Sequence, residues 1–351
     1  MRLHTPAPIA ASHDINKVVR SDYGDIFYCK LGLKALERWR TDPLFEMWYH
    51  QSGLLKATDN HADLVDKIFD NYKELGVDVG AELFKPEELK TRFNGIYADA
   101  DLTDVENILW NPSSGWAEAA TALKYTLDAV MENGVNCITA NVANLILKDG
   151  ACTGIRTEDG RTFTAEKTIL STGAYTAKLI ADSAPTQPEL QVGNRITACG
   201  VCEAAVNLNA EQVEKFKDAP AFVLDANKTQ GETMPPTPKN QLKFIRDMPF
   251  KHTVEHPASG QRISIPFTST DRSQWTTPEN MPASIKKEID TVMKGSFHGW
   301  KFLPIIGEYV VQMLKGELAE EERKRWQWDR SFEGVPRNVL LPEREVGDFE
   351  D

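Results

Sequence analysis

The stretch from Trp116 to Ala181 constrains the fold more than any other part of this chain. In WAEAATALKYTLDAVMENG, the residues Ala120, Leu123, Leu127, Val130 and Met131 form one apolar stripe at i, i+3, i+7 spacing, which predicts an amphipathic helix. Ser113, Ser114 and Gly115 are the expected caps at its start, and Gly134 the expected stop. VNCIT then reads as a strand. Two short strands follow around the turn pairs Asp149-Gly150 and Asp159-Gly160. Asp-Gly between strand-like runs predicts tight hairpins, because both central residues of a type I′ turn need positive φ. EKTILSTGAYTAKLIA reads as a buried strand, a break at Gly173 and a new helix. The order helix, strand, meander, strand, helix predicts an α/β fold, with a meander inserted into a parallel βαβ arrangement.

Composition bounds the rest. With 41% hydrophobic residues the chain of 351 residues can bury a sizeable core, which excludes global disorder. The net charge of -12 excludes a general cationic surface for nucleic acid. No run approaches the roughly 18 apolar residues of a membrane-spanning helix, so no membrane partner is expected. The N-terminus has no apolar signal core, and the C-terminal EVGDFED carries no address signal. Five widely spaced cysteines do not form a disulfide framework. A reducing, cytoplasmic setting is therefore expected.

Outside the central stretch, TPAPI reads as extended, YCKLGLKALERW as a helix and SGLLKAT as a strand. Residues 61–76 and EELKTRF read as helices. RITACGVCEAAVNL, LKFIRDM and QRISIPF are strand-like runs between polar, Pro-rich loops, which predicts an antiparallel or mixed sheet. LPIIGEYVVQMLKGEL is a helix with Ile305, Tyr309, Val310 and Met313 on one side. The expected domains are a discontinuous one over 1–45, 112–185 and 281–351, and a second over 46–111 and 186–280.

Few motifs carry chemistry alone. Cys199-Gly-Val-Cys202 sits in a strand-like run without further ligands at metal spacing, and reads as two ordinary strand cysteines. The scattered histidines predict no metal site. Arg20 closes the apolar run after Lys17, as a solvated strand end or as a binding base. Lys243, in L-K-F-I, points opposite to Leu242 and Phe244 if the segment is a strand. It is then either an outward lysine or a desolvated cation facing a ligand. His298-Gly299-Trp300-Lys301 precedes a helix start, where an anionic group is favoured.

Six segments together resemble the FAD-dependent amine oxidases of the sarcosine oxidase group, nearest to fructosyl-amino-acid oxidases (amadoriases) and saccharopine oxidases. They are SHDINKVVRSDYGD, WRTDPLFEMWYHQSGLL, NPSSGWAEAATAL, EKTILSTGAYTAKLI, NQLKFIRD and FHGWKFLPIIGEYV, in the family's order over most of residues 10–315. The resemblance implies a two-dinucleotide-binding FAD domain, here incomplete, with an interleaved antiparallel or mixed-sheet substrate domain. It implies oxidation of the C–N bond of a secondary-amine amino acid, with O2 as acceptor, giving imine and hydrogen peroxide. The implied partners are FAD, a small amino-acid substrate and O2.

By resemblance, Arg20 and Lys301 bind the substrate carboxylate, Asp247 matches the acidic residue that contacts the sugar in fructosyl-amino-acid oxidases, and Lys243 activates O2. Asp14 and Lys17 fall in a loop beside the flavin ring. Val142 and Gly173 line the adenine and pyrophosphate side, and His298 and Gly299 complete the cofactor-binding set. Two departures shape the expectation. No G-x-G-x-x-G occurs, and the matching region begins at HTPAPIAASHD. No Cys lies beyond Cys202, so the family's flavin-linking cysteine has no counterpart and bound FAD is expected to be non-covalent. A truncated relative without oxidase activity, retaining a binding role or none, is the competing expectation.

Overall fold

A computed structural model describes residues 10–58, 62–193, 195–226, 229–266, 303–328 and 344–349. Helix α1 (Ile26–Thr41) follows Asp25, whose carboxylate accepts from the Phe27 amide at 2.9 Å. This satisfies one of the free donors of the first turn. Its buried residues Phe27, Leu31, Ala35, Leu36 and Trp39 recur at helical spacing. They pack against Val19 of strand β1 (Lys17–Val19), Ala117 of β6 (Gly115–Ala117) and Ile305 of helix α7 (Leu303–Lys315). Lys34 and Arg38 reach Glu308 across the same helix pair, at 2.6 and 2.7 Å.

Strand β6 is the middle of a three-stranded sheet, between β1 and β2 (Tyr49–His50), and both pairings are antiparallel. Gly115 is required there: a Cβ would lie 2.1 Å from the His50 carbonyl oxygen.

Among the described residues the largest sheet has eight strands. Its path runs β10 (Gly200–Asn207), β13 (Gln241–Lys251), β12 (Thr229–Thr233), β11 (Ala221–Ala226), β3 (Leu54–Thr58), β5 (Asn107–Asn111) and β4 (Glu82–Phe84). The short β16 (Arg344–Glu345) adds to β13. The β11–β3 and β13–β16 pairs are parallel and the others antiparallel, so the sheet is mixed. All five residues of β3 are buried, because both faces of the sheet are covered. Leu55 and Ala57 meet Phe84, Leu89 and Ile108 on one face, while Leu54 meets Val18, Trp116, Ala221 and Met234 on the other.

The other described helices are α2 (Ala62–Glu74), α3 (Pro86–Leu89), α4 (Ala119–Glu132), α5 (Thr176–Ser183), α6 (Ala210–Phe216) and α8 (Glu320–Trp326). Among the described residues no helix is long and apolar enough to cross a membrane. The meander β7 (Val142–Lys148), β8 (Ala151–Thr157), β9 (Thr162–Thr164) forms as its Asp-Gly pairs predict. Asp149 and Gly150 both take positive φ, 49° and 78°. At the second turn only Gly160 does, at 85°, because Thr157 and Arg161 close a wider loop there. A further hairpin pairs β14 (Thr253–Glu255) with β15 (Arg262–Ser264).

Three expectations are corrected. The N-cap position of helix α4 is Glu118, without a side-chain capping bond, since Gly115–Ala117 is drawn into β6. VNCIT and the KTILST segment are not strands: Val135, Ile138 and Ile169 are 53%, 54% and 52% exposed. A strand needs a ladder partner, and among the described residues no strand pairs with either segment. Met313, expected on one face with Ile305, is 52% exposed whereas Ile305 is 1% exposed. TPAPI lies outside the described residues.

Candidate active site

Strand β13 delivers Lys243 to the face of the large sheet shared with Ile245, opposite Leu242 and Phe244, as period-two alternation requires. That face looks toward β1 and β6. The loop before β1 closes over it, tied to the first turn of α4 by the Ala120 amide, which donates to the Asp14 carbonyl at 2.9 Å. Lys243 Nζ lies 2.7 Å from both carboxylate oxygens of Asp14 and donates to the Asn16 carbonyl at 2.9 Å. Lys17 Nζ donates to the same carboxylate at 2.7 Å. Lys243 is 1% exposed, which sets aside the reading of an outward, solvated lysine.

Burial opposes ionisation of Asp14, but the charges of Lys243 and Lys17 outweigh it and hold the carboxyl below its ordinary range. Glu203, on the neighbouring strand β10, comes within 3.8 Å of Lys243 Nζ. Its carboxyl is pushed up, first by desolvation against the packed chain and then by the Asp14 charge. Its side chain nevertheless remains 49% exposed, open on one side and crowded on the other.

The same sheet face carries more charge than the sequence showed. Lys56, Val223, Glu232, Ile245 and Glu203 form one row across β3, β11, β12, β13 and β10. Lys56 and Glu232 are 6% and 5% exposed.

Arg20 follows β1 directly and is half-buried. Its Nη1 donates to the Asp22 carbonyl, and its guanidinium lies 4.5 Å over the Tyr23 ring. The turn that carries it is pinned by Asp22, whose carboxylate accepts from Asn111 Nδ2 at 2.7 Å, Tyr72 Oη at 3.1 Å and Ser114 Oγ at 3.2 Å. Burial and the Asp22 charge push the nearby Cys29 thiol up to about 11.

Asp14, Lys17 and Lys243 are thus brought into direct contact, with Arg20 directly after the adjoining strand. Asp247 lies on β13 four residues beyond Lys243, and its side chain is outside the described residues, as are His298, Gly299 and Lys301. Val142 and Gly173 stand apart. Val142 begins β7 and is 37% exposed, and Gly173, at φ 51°, is exposed, with no atom of the described residues within 4 Å of a would-be Cβ.

Sequence reasoning missed Asn16, Glu203, Lys56 and Glu232. Asn16 is 0% exposed, and although its backbone carbonyl accepts from Lys243, its side-chain Nδ2 and Oδ1 have no hydrogen-bond partner among the described residues. An unsatisfied buried carboxamide beside a buried cation suits a ligand edge with both donor and acceptor atoms. The isoalloxazine ring of a flavin offers such an edge, so these residues fit the ring end of FAD. The exposed Val142 and Gly173 offer no comparable cradle to its adenosine end.

The sequence matches the family described as "FAD dependent oxidoreductase" over residues 5–228. It is 23% identical to L-saccharopine oxidase of Schizosaccharomyces pombe over 381 aligned positions, covering 92% of this chain and 84% of that protein. Among solved structures it is similar to a thermally stable mutant of fructosyl peptide oxidase, with a TM-score of 0.77 at 19% identity, covering 99% of this chain and 90% of the other. It is also similar to the fructosamine oxidase Amadoriase II of Aspergillus fumigatus, in complex with FSA, with a TM-score of 0.72 at 19% identity, covering 99% and 88%. Those structural likenesses establish a shared mixed α/β fold. With the family match spanning more than half of its length, the chain belongs to the FAD-dependent oxidoreductases.

Proposed function

We propose that this chain oxidises the C–N bond of a secondary-amine amino acid, such as a fructosyl amino acid, saccharopine or a sarcosine-like compound, with O2 as the final acceptor. The products are an imine, hydrolysed by water, and hydrogen peroxide. The observation that carries this reading is the buried Lys243, clasped by Asp14 beside the unsatisfied carboxamide of Asn16. FAD, when bound, supplies the two-electron acceptor that no side chain of the chain can provide.

The chain's own residues do the rest. Asn16 meets the ring edge with one donor and one acceptor. Lys243 presents a fixed, desolvated positive charge where negative charge develops on oxygen, and needs no reorganisation to do so. Arg20 spends one nitrogen on the Asp22 carbonyl, leaving further donors of its fork for a substrate carboxylate. Lys301 supplies a second base toward that carboxylate, and Asp247 a contact to the polar part of the substrate. Lys17 and Lys243 together keep Asp14 ionised, so the loop around Asn16 stays in one arrangement.

We further infer that FAD is held non-covalently, since no cysteine lies beyond Cys202 to link it. The exposure of Gly173 and Val142 favours a second reading, a relative that keeps the fold without oxidising a substrate. Peroxide release by the purified chain with added FAD separates the two, measured against fructosyl lysine, saccharopine, sarcosine and pipecolate. Peroxide with at least one amine supports the first reading, and none with any supports the second.

A further inference from the structure

Lys243 is sealed from water on nearly every side. Among the described residues its Nζ contacts are the two Asp14 oxygens, the Asn16 carbonyl and, at 3.8 Å, the Glu203 carboxyl. Asp14 and Lys17 are themselves 5% and 12% exposed at the side chain and bonded to each other, so neither opens a path to solvent. Glu203 differs: among the described residues it is the one half-exposed titratable group touching Lys243, at 49%. It reaches the ammonium from the adjacent strand, where Glu203 pairs with Ile245 and Ala205 with Lys243.

We propose that Glu203 is the proton-relay residue of this site, passing protons between bulk water and the buried Lys243 ammonium. The inference deepens the oxidase reading above and rests on it for its purpose, because reduction of O2 to hydrogen peroxide consumes two protons. Lys243 gives one ammonium proton to the oxygen anion, forming an O–H bond and leaving a neutral amine. The Glu203 carboxyl, whose half-exposed side chain swings across the 3.8 Å gap into hydrogen-bond reach, then gives its proton to that amine, restoring the ammonium and becoming a carboxylate. A hydronium ion reprotonates the carboxylate and leaves water. Atoms and charge balance at each transfer, and no oxidant or reductant is required.

Two features suit Glu203 to this task. Its carboxyl is pushed above the ordinary range by desolvation and by Asp14, against the opposing charges of Lys243, Lys17 and His13, so a protonated form is present nearer neutrality. Asp14, on the other side of the same ammonium, is held below that range and stays an anion. Two carboxyls on one lysine are thereby driven apart, one to hold charge and one to carry protons.

The test uses the full chain without FAD or substrate, so that failure of the relay and failure of the oxidase reading are distinguishable. Hydrogen exchange of the Lys243 ammonium is followed by NMR on protein labelled with ¹⁵N-lysine, with Lys243→Met assigning the signal. Glu203→Gln, which keeps the shape and removes the transferable proton, is expected to slow exchange by about tenfold or more and to abolish its pH dependence near the Glu203 titration. Glu203→Asp is expected to restore part of the rate. With FAD bound, the pH profile of reoxidation by O2 should lose one ionisation in Glu203→Gln. If neither the exchange rate nor its pH dependence changes in Glu203→Gln, the relay is overturned. Should that variant fail to fold, the same pH dependence in the unaltered chain decides: exchange that shows no ionisation in the raised carboxyl range contradicts the proposal.

Discussion

Lys243 and Asp14, separated by 229 positions in the chain, form a buried ion pair in which one ammonium lies 2.7 Å from both oxygens of one carboxylate. The pair locks the inner face of the eight-stranded sheet to the loop before β1. Breaking it from either side leaves a charge in a place with little water. Lys243→Met is therefore expected to destabilise the fold by about 3–5 kcal/mol, the usual cost of orphaning a buried partner. Lys17, which keeps its own bond to Asp14, sets the lower end of that range. Urea unfolding of the variant against the unaltered chain reads the difference, and equality would remove the pair from the account of stability.

The same pair predicts an acid dependence. Asp14 is held below its unfolded value, which is about 3.9 for an aspartate. Such a group contributes stability that is fully present above the unfolded value and lost as the pH falls through the lower folded one. Stability should therefore drop below about pH 4 in part because Asp14 takes up a proton. In Asp14→Asn that contribution is missing at every pH, so the gap between variant and unaltered chain should narrow as the solution is acidified. A gap that stays constant from neutrality to pH 3 would contradict the assignment.

Asp22 offers a prediction about Arg20. Its carboxylate gathers donors from Tyr72 on α2, Asn111 on β5 and Ser114 in the turn beyond, and its carbonyl receives Arg20. Tyr72→Phe removes one donor from an anion and should cost about 1.5–3 kcal/mol of stability, the range for hydrogen bonds to charged groups. Arg20→Ala should leave stability nearly unchanged, while weakening a carboxylate ligand by about 1.5–3 kcal/mol for the same reason. Calorimetric titration with a non-reactive carboxylate separates the effects, and unaltered affinity in Arg20→Ala would take the arginine out of the binding site.

The segments that failed to become strands have their own consequence. Val135, Ile138 and Ile169 are each more than half exposed, an unusual condition for β-branched residues. Concentration-dependent association is expected at neutral pH and should weaken when Ile138 and Ile169 are changed to lysine. Sedimentation at several concentrations checks this, with far-ultraviolet circular dichroism as the control for folding. A monodisperse monomer at all concentrations in the unaltered chain would count against it.

Much of the fold is legible in the residues because local chemistry decides it. Asp149-Gly150 selects its hairpin through backbone freedom, and the stripe of α1 selects its buried face through spacing. The alternation around Lys243 correctly gave its side relative to Leu242 and Phe244, but not what it would meet. That depends on a loop 229 positions away, and no local pattern encodes such a contact. Glu203 left only a faint trace, a carboxylate within the apolar run GVCEAAVN, and Asn16 none beyond its place in DINK. VNCIT and KTILST show the opposite failure: strand-like composition was present, and partner strands were not. A ladder is a property of two segments, so one segment's composition cannot settle it.

The central claim is that the chain binds FAD and that a secondary-amine amino acid reduces it. It is tested most directly by mixing the FAD-loaded chain with each candidate amine without oxygen, following the flavin absorption band, and then admitting O2. Bleaching by at least one amine, followed by recovery of the band and release of peroxide, is the result expected. In Lys243→Met the recovery should slow far more than the bleaching, because the cation acts on charge that develops only on oxygen. A chain that binds FAD yet shows no bleaching with any secondary-amine amino acid, or one that binds no FAD, would contradict the account.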